Sequence, residues 1–424
     1  MPVATDDLLE NYCAQVAKNA KLASRILCGL PGETKNQWLV ECANQLEIQS
    51  ASIVAANQLD LDKAAEYDLT PAELDRLRLS VAGVSQLAKG LREIAAFPDP
   101  VGELIEGSVR PNGLRLSKVR VPLGVVFFIY ESRPNVTADA AAIAVKSGNA
   151  IILRGGKEAM HSSKAIVSIM QSVATTVGIP IDAVQLVNTT ERDAVGHFLK
   201  YDQWIDLAIP RGGEGLIRRV VSEAKMPVLK HYDGNCHMYI DQYADIEKSL
   251  NVVENSKCQR MGVCNALESL VVHHAIASEF LPKLLSRLAP YKIEFRGDEE
   301  SLLVLKSGVR ATESDWSKEY LGPILSVRVV GTIDEAIEHI NQYSSHHTDG
   351  IMTEDVASSQ RFTALVDSAA VVVNASTRFN DGGQLGLGAE IGISTDKFHA
   401  RGPCGIRELT TYKYIVHGDG HVRT

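Results

Sequence analysis

The sequence predicts an α/β fold with more than one domain, and three observations lead to that prediction. The chain has 424 residues, which is too long for one ordinary hydrophobic core. From residue 124 onward, short apolar runs alternate with segments of helical periodicity, as in parallel sheets covered by helices on both faces. The first hundred residues show helical periodicity, so a helical segment is expected before the first sheet.

The elements before the first sheet are helices followed by a β-hairpin. Apolar residues recur at helical spacing over 6–27 and 34–59, and a further helix opens at Thr70. Alternating segments over 103–110 and 114–121 flank a Pro-Asn-Gly turn and predict a hairpin. A two-stranded arm has no core of its own, so we expect it to pack on another subunit or domain.

Two α/β runs follow the hairpin. The first has strands over 124–130, 150–154, 183–187, 204–209 and 227–231, with helices over 138–146, 157–177, 193–200 and 214–224. The second has strands over 267–273, 324–330, 350–352 and 369–374, with helices from Ala275 and over 334–342. The tail from Gly402 to Val416 returns to strand character and is expected to pair with the early arm.

Bulk composition excludes several classes of protein. The formal net charge is −9, and no basic stripe is interleaved with aromatic residues, which argues against nucleic-acid binding. The N-terminus lacks a secretory signal pattern, and no apolar run reaches the roughly 18 residues that span a bilayer. Seven scattered cysteines indicate neither a disulfide framework nor a zinc ribbon. A reducing cytoplasm is therefore the expected location.

The most informative stretch is 255–273, which contains Cys264. This cysteine lies between a polar approach carrying Lys257 and Arg260 and an apolar run that predicts a strand. Nearby cations would lower the pKa of such a thiol and make it a nucleophile. The alternative is a small buried core residue. Cys258 is a second thiol with similar cationic neighbours.

Two loops of the same layout each follow a predicted strand and open a helix. They are Arg154-Gly-Gly-Lys157 and Pro210-Arg-Gly-Gly213. Glycines allow a close approach to phosphate oxygens, and a helix N-terminus adds roughly half a positive charge. Neither loop is a GxGxxG fingerprint, and a plain strand-to-helix turn is the alternative for each. Two such loops in one sheet favour a dinucleotide ligand.

A third loop, from Glu131 to Thr137, follows the first strand of the sheet. Arg133 supplies a cation there, and the Asn135 amide is a donor suited to a developing oxyanion. The alternative for Asn135 is that it caps the helix beginning near Val136.

Histidine pairs occur at 273–274 and 346–347. No acidic residue stands at ligand spacing from either pair, so we interpret them as solvated or strand-end residues. No metal is expected from the sequence.

With these segments in order, the chain resembles the aldehyde dehydrogenase superfamily, and within it the members that reduce an acyl phosphate of glutamate. The resemblance covers nearly the whole length in seven collinear blocks, at 121–142, 148–159, 205–218, 259–270, 330–351, 373–390 and 399–414. It implies an aldehyde-dehydrogenase-like α/β fold with three parts. These are a Rossmann-type NADP-binding domain (1–102 and 122–241), an α/β catalytic cysteine domain (242–375), and a small β oligomerisation arm with the tail (103–121 and 400–424).

The resemblance also implies roles for individual residues. Cys264 lies at the position of the family nucleophile, and Asn135 at the oxyanion-hole position. Glu319 matches the glutamate that holds the nicotinamide ribose. Arg133 and Arg378 are further candidates for binding the substrate's phosphate or α-carboxylate, since a planar guanidinium suits both anions. A surface or structural ion pair is the alternative for each arginine.

The cofactor expected from the resemblance is NADPH. Arg154, Gly155 and Lys157 stand where relatives contact the adenosine ribose, and two cations there suit a 2′-phosphate. The loop of Arg211, Gly212 and Gly213 would lie near the pyrophosphate.

The reaction implied is reduction of γ-glutamyl phosphate to glutamate 5-semialdehyde through a thioester on Cys264, a step of proline biosynthesis. Glutamate 5-kinase is a possible partner that hands over this labile substrate, and the arm and tail suggest a homo-oligomer.

One departure from the superfamily pattern bears on the acyl acceptor. Aldehyde-oxidising relatives carry a glutamate base in a Glu-Leu-Gly-Gly segment, whereas this chain has Lys230 to Cys236, with His231 near the base position. Cys258 and Met261 also replace an expected threonine and proline. Two alternatives stay open: oxidation of another aldehyde with water as acceptor, and a binding protein that has lost catalysis.

Overall fold

The computed structural model describes residues 5–131 and 133–423. The chain divides into two compact units. The first unit contains Met1–Lys230, Leu387–Gly392 and Cys404–Thr424. The second contains His231–Gly386 and Ile393–Pro403. Among the described residues, none of the helices combines the length and the apolar character that a membrane span requires.

The α-helices and β-strands alternate from the third strand to the tenth, as predicted, and again from the eleventh to the thirteenth. The α-helices are α1 (Thr5–Leu27), α2 (Gly32–Ile48), α3 (Ser50–Asp62), α4 (Pro71–Leu77), α5 (Val81–Ala96), α6 (Pro134–Lys146), α7 (Met160–Val177), α8 (Asp193–Phe198), α9 (Glu214–Glu223), α10 (Ile246–Cys258), α11 (His274–Leu288), α12 (Glu299–Leu305), α13 (Ile333–Tyr343) and α14 (Val356–Leu365). The strands are β1 (Leu104–Val109), β2 (Arg115–Pro122), β3 (Val125–Tyr130), β4 (Ala150–Arg154), β5 (Val184–Leu186), β6 (Leu207–Arg211), β7 (Cys236–Ile240), β8 (Leu267–His273), β9 (Glu294–Gly297), β10 (Val309–Arg310), β11 (Ile324–Val330), β12 (Thr348–Met352), β13 (Ala370–Val373), β14 (Gly392–Ser394), β15 (Gly402–Cys404) and β16 (Thr410–His417).

The sheet of the first unit is parallel, in the order β5-β4-β3-β6. Every residue of β3 and β4 is buried, because helices cover both faces and leave no polar alternation along these strands. The strand predicted over 227–231 is wrong. It reduces to a single bridge between Ala208 and Val228, since Pro227 has no N–H to continue a ladder.

Two helix predictions also need correction. The segment 34–59 forms two helices rather than one, because Gln49 leaves the helical conformation at φ −97°, ψ 16°. Its N–H still donates to the Gln45 carbonyl at 2.9 Å. The apolar spacing continues across Gln49, so the sequence pattern does not show the break. Helix α6 begins at Pro134, four residues before the predicted start, with Arg133 as its N-cap.

The hairpin prediction and the pairing of the tail are both confirmed. Strands β1, β2 and β16 form a three-stranded antiparallel sheet, in which β16 pairs with β2 from Thr410↔Pro122 to His417↔Arg115. Gly113, at φ +91°, lies in the turn between β1 and β2. Apolar side chains of this sheet face solvent, among them Leu104, Val109, Tyr414 and Val416.

The second unit has a seven-stranded parallel sheet in the order β10-β9-β11-β8-β7-β12-β13. Helices α10, α11 and α12 cover one side through a cluster that includes Leu250 and Phe280. Helices α13 and α14 cover the other through Ile340 and Phe362. The strands β7, β8 and β12 at its centre are buried along their whole lengths, so loops at their ends have a rigid support. Strand β7 was not predicted.

Candidate active site

Cys264 lies in a turn between the end of α10 and the start of β8, with its side chain half-buried. Its backbone is held closely. A Cβ added to Gly234 would lie 1.8 Å from the Cys264 carbonyl oxygen, so this close approach requires glycine at position 234. The Cys236 thiol also donates to the same carbonyl at 3.2 Å. The turn therefore presents an accessible thiol on a fixed backbone.

Lys257, expected beside this thiol, is engaged elsewhere. Its ammonium lies 2.6 Å from a Glu268 carboxylate oxygen, and both side chains are fully buried. The other oxygen of Glu268 accepts the Leu321 N–H at 3.1 Å. The positive charge of Lys257 is thus neutralised by a carboxylate, and the expectation that it activates Cys264 is wrong. The sequence around Cys264 did not indicate that Glu268, a residue of β8, would pair with Lys257.

Arg378 is a cation close enough to the Cys264 thiol for the two charges to affect each other. Burial lowers the pKa of this guanidinium, and the smaller charge effects on its pKa come from Asp381, Arg260, Cys264 and Cys236, in that order. The Arg378 Nε donates to the Gln259 side chain at 2.8 Å. Arg378 also lines a cavity of about 280 Å³, whose walls are formed by Asn255, Gln259, Arg378, Phe379, Asp381 and Gln384.

Two histidines join the cysteine. One ring nitrogen each of His231 and His347 and the Cys264 sulfur all lie within 4.8 Å of one another. His347 is fully buried and directly precedes β12, so the strand-end interpretation holds for this member and the solvated one is wrong. Sequence reasoning noted His231 at the position of the missing base but missed His347. The block ending His-His-Thr-Asp-Gly-Ile was the available signal.

Glu319 approaches the same segment from another loop. Its carboxylate accepts the Gly234 N–H at 3.0 Å, and Gly234 packs on the Cys264 backbone. Burial raises the pKa of Glu319 to about 7, while the Gly234 hydrogen bond opposes that shift. The role of this carboxyl at the nicotinamide ribose stays a prediction.

In the first unit, two of the three predicted loops, those of Arg133 and of Arg154 to Lys157, line one cavity of about 560 Å³. Arg133, Arg154, Gly155 and Lys157 all line it. Three further arginines that sequence reasoning missed complete the wall: Arg76, Arg192 and Arg219. They come from helices or loops without a glycine signature, so only the folded chain reveals them. The predicted Arg211 to Gly213 do not line this cavity; Gly215 and Leu216, in the first turn of α9 that follows them, do.

Packing also favours glycine in these loops, independently of any contact with phosphate. A Cβ on Gly155 would lie 3.1 Å from the Tyr130 ring, and one on Gly212 would lie 2.6 Å from a Glu131 carboxylate oxygen. That Glu131 oxygen accepts the Gly213 N–H at 2.9 Å. An acidic side chain therefore lies at the N-terminus of α9, a position that favours anions.

The two cations predicted at the adenosine ribose differ in their surroundings. Arg154 is buried, and its guanidinium donates to the carbonyls of Gly155 and, at 3.2 Å, Thr190. Lys157 is exposed, with its ammonium 4.5 Å from the centre of the Tyr67 ring. The Lys157 charge is the more available of the two for a phosphate.

Asn135 is exposed in the first turn of α6. It is not the cap of that helix, because Arg133 holds the cap position. Its side chain hydrogen-bonds the Asp139 carboxyl, one turn further along, while burial raises the pKa of Asp139 to about 7. Asn135 belongs to the first unit and Cys264 to the second, and its role at the oxyanion stays a prediction. Ser132 of the same loop lies outside the described residues.

A parallel α/β architecture in both units, a supported cysteine in the second and a cation-lined cavity in the first are features of a dehydrogenase that acts through a thiol. The model of the aldehyde dehydrogenase family matches residues 10–304 and 303–390. The chain therefore belongs to the aldehyde dehydrogenase family, and it is an enzyme of that family.

Within the family, the chain belongs with the γ-glutamyl phosphate reductases. A protein of that name from Rhodopirellula baltica is 61% identical over 419 residues, which cover 99% of this chain and 96% of the relative. The crystal structure of the protein of that name from Thermotoga maritima has a TM-score of 0.95 at 44% identity, covering 97% and 100% of the two chains. The corresponding structure from Saccharomyces cerevisiae has a TM-score of 0.54 at 32% identity, covering 97% and 98%. The family and the fold class predicted from the sequence are confirmed.

Proposed function

We propose that this enzyme reduces L-glutamyl 5-phosphate to L-glutamate 5-semialdehyde and phosphate with NADPH, the second step of proline biosynthesis from glutamate. The observation that carries the proposal is the half-buried Cys264 thiol, held on a rigid turn beside Arg378 and two imidazoles. The names of the relatives agree with this substrate.

The cysteine begins the reaction by acyl transfer. The Cys264 thiolate attacks the acyl carbon, the carbon–oxygen bond to phosphate breaks, and a thioester forms on the sulfur. NADPH supplies the hydride that reduces this thioester. The resulting tetrahedral oxyanion collapses, releasing the aldehyde and returning the thiolate. Asn135 and a backbone N–H are proposed to stabilise the oxyanions, a contribution of about 2.7–4 kcal/mol for one donor.

The histidines supply a route for the thiol proton. A ring nitrogen of His231 and one of His347 lie within 4.8 Å of the Cys264 sulfur, a separation that one bridging water can span. An imidazolium formed in this way would stay beside the thiolate and favour it electrostatically. The two histidines thus take the role of favouring the thiolate, which the sequence had suggested for Lys257.

The cavity lined by Arg378 and Asp381 suits the amino-acid end of the substrate. Its volume of about 280 Å³ is of the right order for a glutamyl group. The Arg378 guanidinium is suited to the α-carboxylate, and the Asp381 carboxylate to the α-ammonium. Arg133, in the other unit, is the remaining candidate for the phosphate.

The cation-lined cavity of the first unit suits a dinucleotide phosphate. Lys157 and Arg192 are exposed on its wall and are proposed to bind the 2′-phosphate that distinguishes NADPH from NADH. Arg154, bonded to two backbone carbonyls, holds the loop that carries Lys157. The Glu131 carboxylate at the N-terminus of α9 has to give way where a pyrophosphate approaches Arg211 to Gly213.

The remaining proposals concern the setting of the enzyme. The exposed apolar residues of the β1-β2-β16 sheet are proposed to pack on another copy of the chain, and the cytoplasm is the proposed location. Direct transfer of the labile acyl phosphate from glutamate 5-kinase is a further proposal.

The reverse reaction tests the proposed function. Purified enzyme is given glutamate 5-semialdehyde with NADP or NAD, each with and without phosphate. We expect reduction of the cofactor to require phosphate and to be faster with NADP. Cofactor reduction without phosphate would mean that water is the acyl acceptor and would overturn the proposal.

A further inference from the structure

The three groups at the cysteine are those of a metal site. His231 lies in the segment before β7, Cys264 in the turn before β8, and His347 directly before β12, so the tertiary fold brings them together. One ligand atom of each lies within 4.8 Å of the other two. A thiolate and two imidazoles are the ligands that Zn²⁺ prefers in proteins.

We propose that Cys264, His231 and His347 bind Zn²⁺, and that the bound ion reversibly inhibits the enzyme by taking its nucleophilic sulfur. The binding stands on the geometry of these three residues. The inhibition rests on the proposed function, in which Cys264 is the nucleophile.

Both imidazoles are oriented by polar contacts on one ring nitrogen. The His231 Nδ1 lies 3.0 Å from the Ile393 carbonyl oxygen, and the His347 Nδ1 lies 2.8 Å from the Thr348 hydroxyl. That hydroxyl also accepts the Asn380 amide at 2.7 Å, which fixes its position. Zinc-binding histidines commonly bond a carbonyl or another polar group through one nitrogen and the metal through the other. The Nε2 of each ring is therefore the nitrogen expected on the metal.

The distances allow a single tetrahedral ion. Zn–N and Zn–S bonds of about 2.0–2.3 Å place the ligand atoms of one ion about 3.3–3.6 Å apart. The three atoms are already within 4.8 Å, so a closure of at most about 1.5 Å is needed. His231 and Cys264 are half-buried and can supply it by side-chain rotation, while the buried His347 remains fixed.

The arrangement favours an inhibitory site over a structural one. Structural zinc sites have four protein ligands, whereas a site with three leaves one position open to water or substrate. Cys236 is a candidate for a fourth ligand, but its sulfur lies 3.8 Å from the His347 Nδ1, the nitrogen turned away from the proposed metal. Its buried thiol also donates to the Cys264 carbonyl at 3.2 Å. Cys236 is therefore not placed to complete the site.

Cobalt substitution tests the binding directly. The full-length, metal-free enzyme is titrated with Co²⁺, and the thiolate-to-cobalt charge-transfer band and the visible bands of tetrahedral cobalt are recorded. Zn²⁺ is then added to displace Co²⁺ and give its Kd. We expect both sets of bands in the wild type. In C264S the charge-transfer band should be lost, and in H231Q and H347Q the Kd for Zn²⁺ should rise more than about tenfold.

Two variants serve as matched controls. C258S removes the other half-buried thiol of this segment, and H274Q removes an exposed histidine on α11. Both should keep the wild-type Kd. H231Q carries the test if the buried substitution H347Q prevents folding, which circular dichroism would reveal.

The outcomes separate binding from inhibition and from the proposed reaction. A wild-type protein without the charge-transfer band, or a band that persists in C264S, overturns the site. Zn²⁺ that binds with the expected ligands but does not slow the reverse reaction overturns the inhibitory role. We expect Zn²⁺ to inhibit the reverse reaction and a chelator to restore the activity. An enzyme inactive on glutamate 5-semialdehyde would refute the proposed function and leave the cobalt result to decide the site.

Discussion

The cavity of the first unit and the cysteine site of the second hold their functional groups in opposite ways. The first presents cations such as Lys157 and Arg192 on exposed loops and short helices after strands. The second holds buried groups in hydrogen-bonded networks: Asp349, for example, is fully buried and accepts from the His237 N–H at 2.7 Å and the Ser344 hydroxyl at 2.6 Å.

The difference shows what each region is suited to do. Exposed cations attract an anionic ligand, but water and salt screen each of them, so single residues contribute modestly. Buried groups lose their partners at a high energetic cost, so the second unit is sensitive to the loss of any buried partner. Substitutions should therefore have large effects in the second unit and smaller, salt-dependent effects in the first.

The largest effect is expected at Cys264. The C264A variant should lose at least about 10⁴-fold in kcat for the reverse reaction, because no thioester can form. Its unfolding transition in urea should match the wild type, since the side chain is half-buried. C258A is the control: burial raises the pKa of Cys258 to about 11, so it is a thiol at neutral pH, and its loss should leave kcat unchanged. Activity of C264A within about tenfold of the wild type would refute the assignment.

The next effect is on stability. E268Q leaves the Lys257 ammonium buried beside a neutral amide, and both native side chains are fully buried. We expect the free energy of unfolding to fall by about 3–5 kcal/mol, as for other broken buried pairs. The control is E279Q, which breaks an exposed pair with Lys283 and should leave the urea midpoint unchanged. If E268Q and E279Q had the same urea midpoint, the buried and the exposed ion pair would contribute equally to stability, which would contradict this prediction.

Asn135 tests whether the first unit takes part in the chemistry. N135A should lower kcat about 10²–10³-fold with little change in KM, because an oxyanion donor acts in the transition state. D139N keeps a hydrogen-bonding partner for Asn135 and should cost much less. If N135A raises KM at constant kcat, Asn135 binds the substrate and is not an oxyanion donor.

The exposed cations should give a smaller effect. K157A combined with R192A is expected to raise the KM for NADPH about tenfold, equivalent to about 1.4 kcal/mol, and to leave that for NADH unchanged. The difference should shrink as salt is added. R218A is the control, since Arg218 pairs with Glu214 at 2.6 Å on the same helix as Arg219. An equal rise for both cofactors would place these cations away from the 2′-phosphate.

The smallest effect concerns pH. Burial raises the pKa of Glu319 from 4.5 to about 7, so the folded enzyme favours its neutral form. This contribution to stability is complete below about 4.5 and is lost as pH rises through about 7. E319Q cannot ionise, so its urea midpoint relative to the wild type should rise between pH 5 and 8. A constant difference across that range would contradict the raised pKa.

The fold could be predicted where local patterns carry the information. The run at 124–130 is apolar throughout, the run at 267–273 has Leu267, Leu270, Val271 and Val272 as its apolar residues, and the turn at Pro-Asn-Gly marks the hairpin. The break at Gln49 could not be predicted, because apolar spacing continues on both sides of it. The strand predicted at 227–231 failed because apolar character says nothing about which backbone groups find a partner.

The sequence by itself determined the family, the parallel α/β architecture, the nucleophile Cys264 as a prediction, and loops that bear cations after the strands. These depend on residues close together in the chain. The tertiary structure decided which charges are available: Lys257 is neutralised by Glu268, whereas Arg378 and the two histidines reach Cys264 from distant segments. Burial and ion pairing determine how strongly a charged side chain acts on its surroundings. Both depend on residues that only the folded chain brings close together.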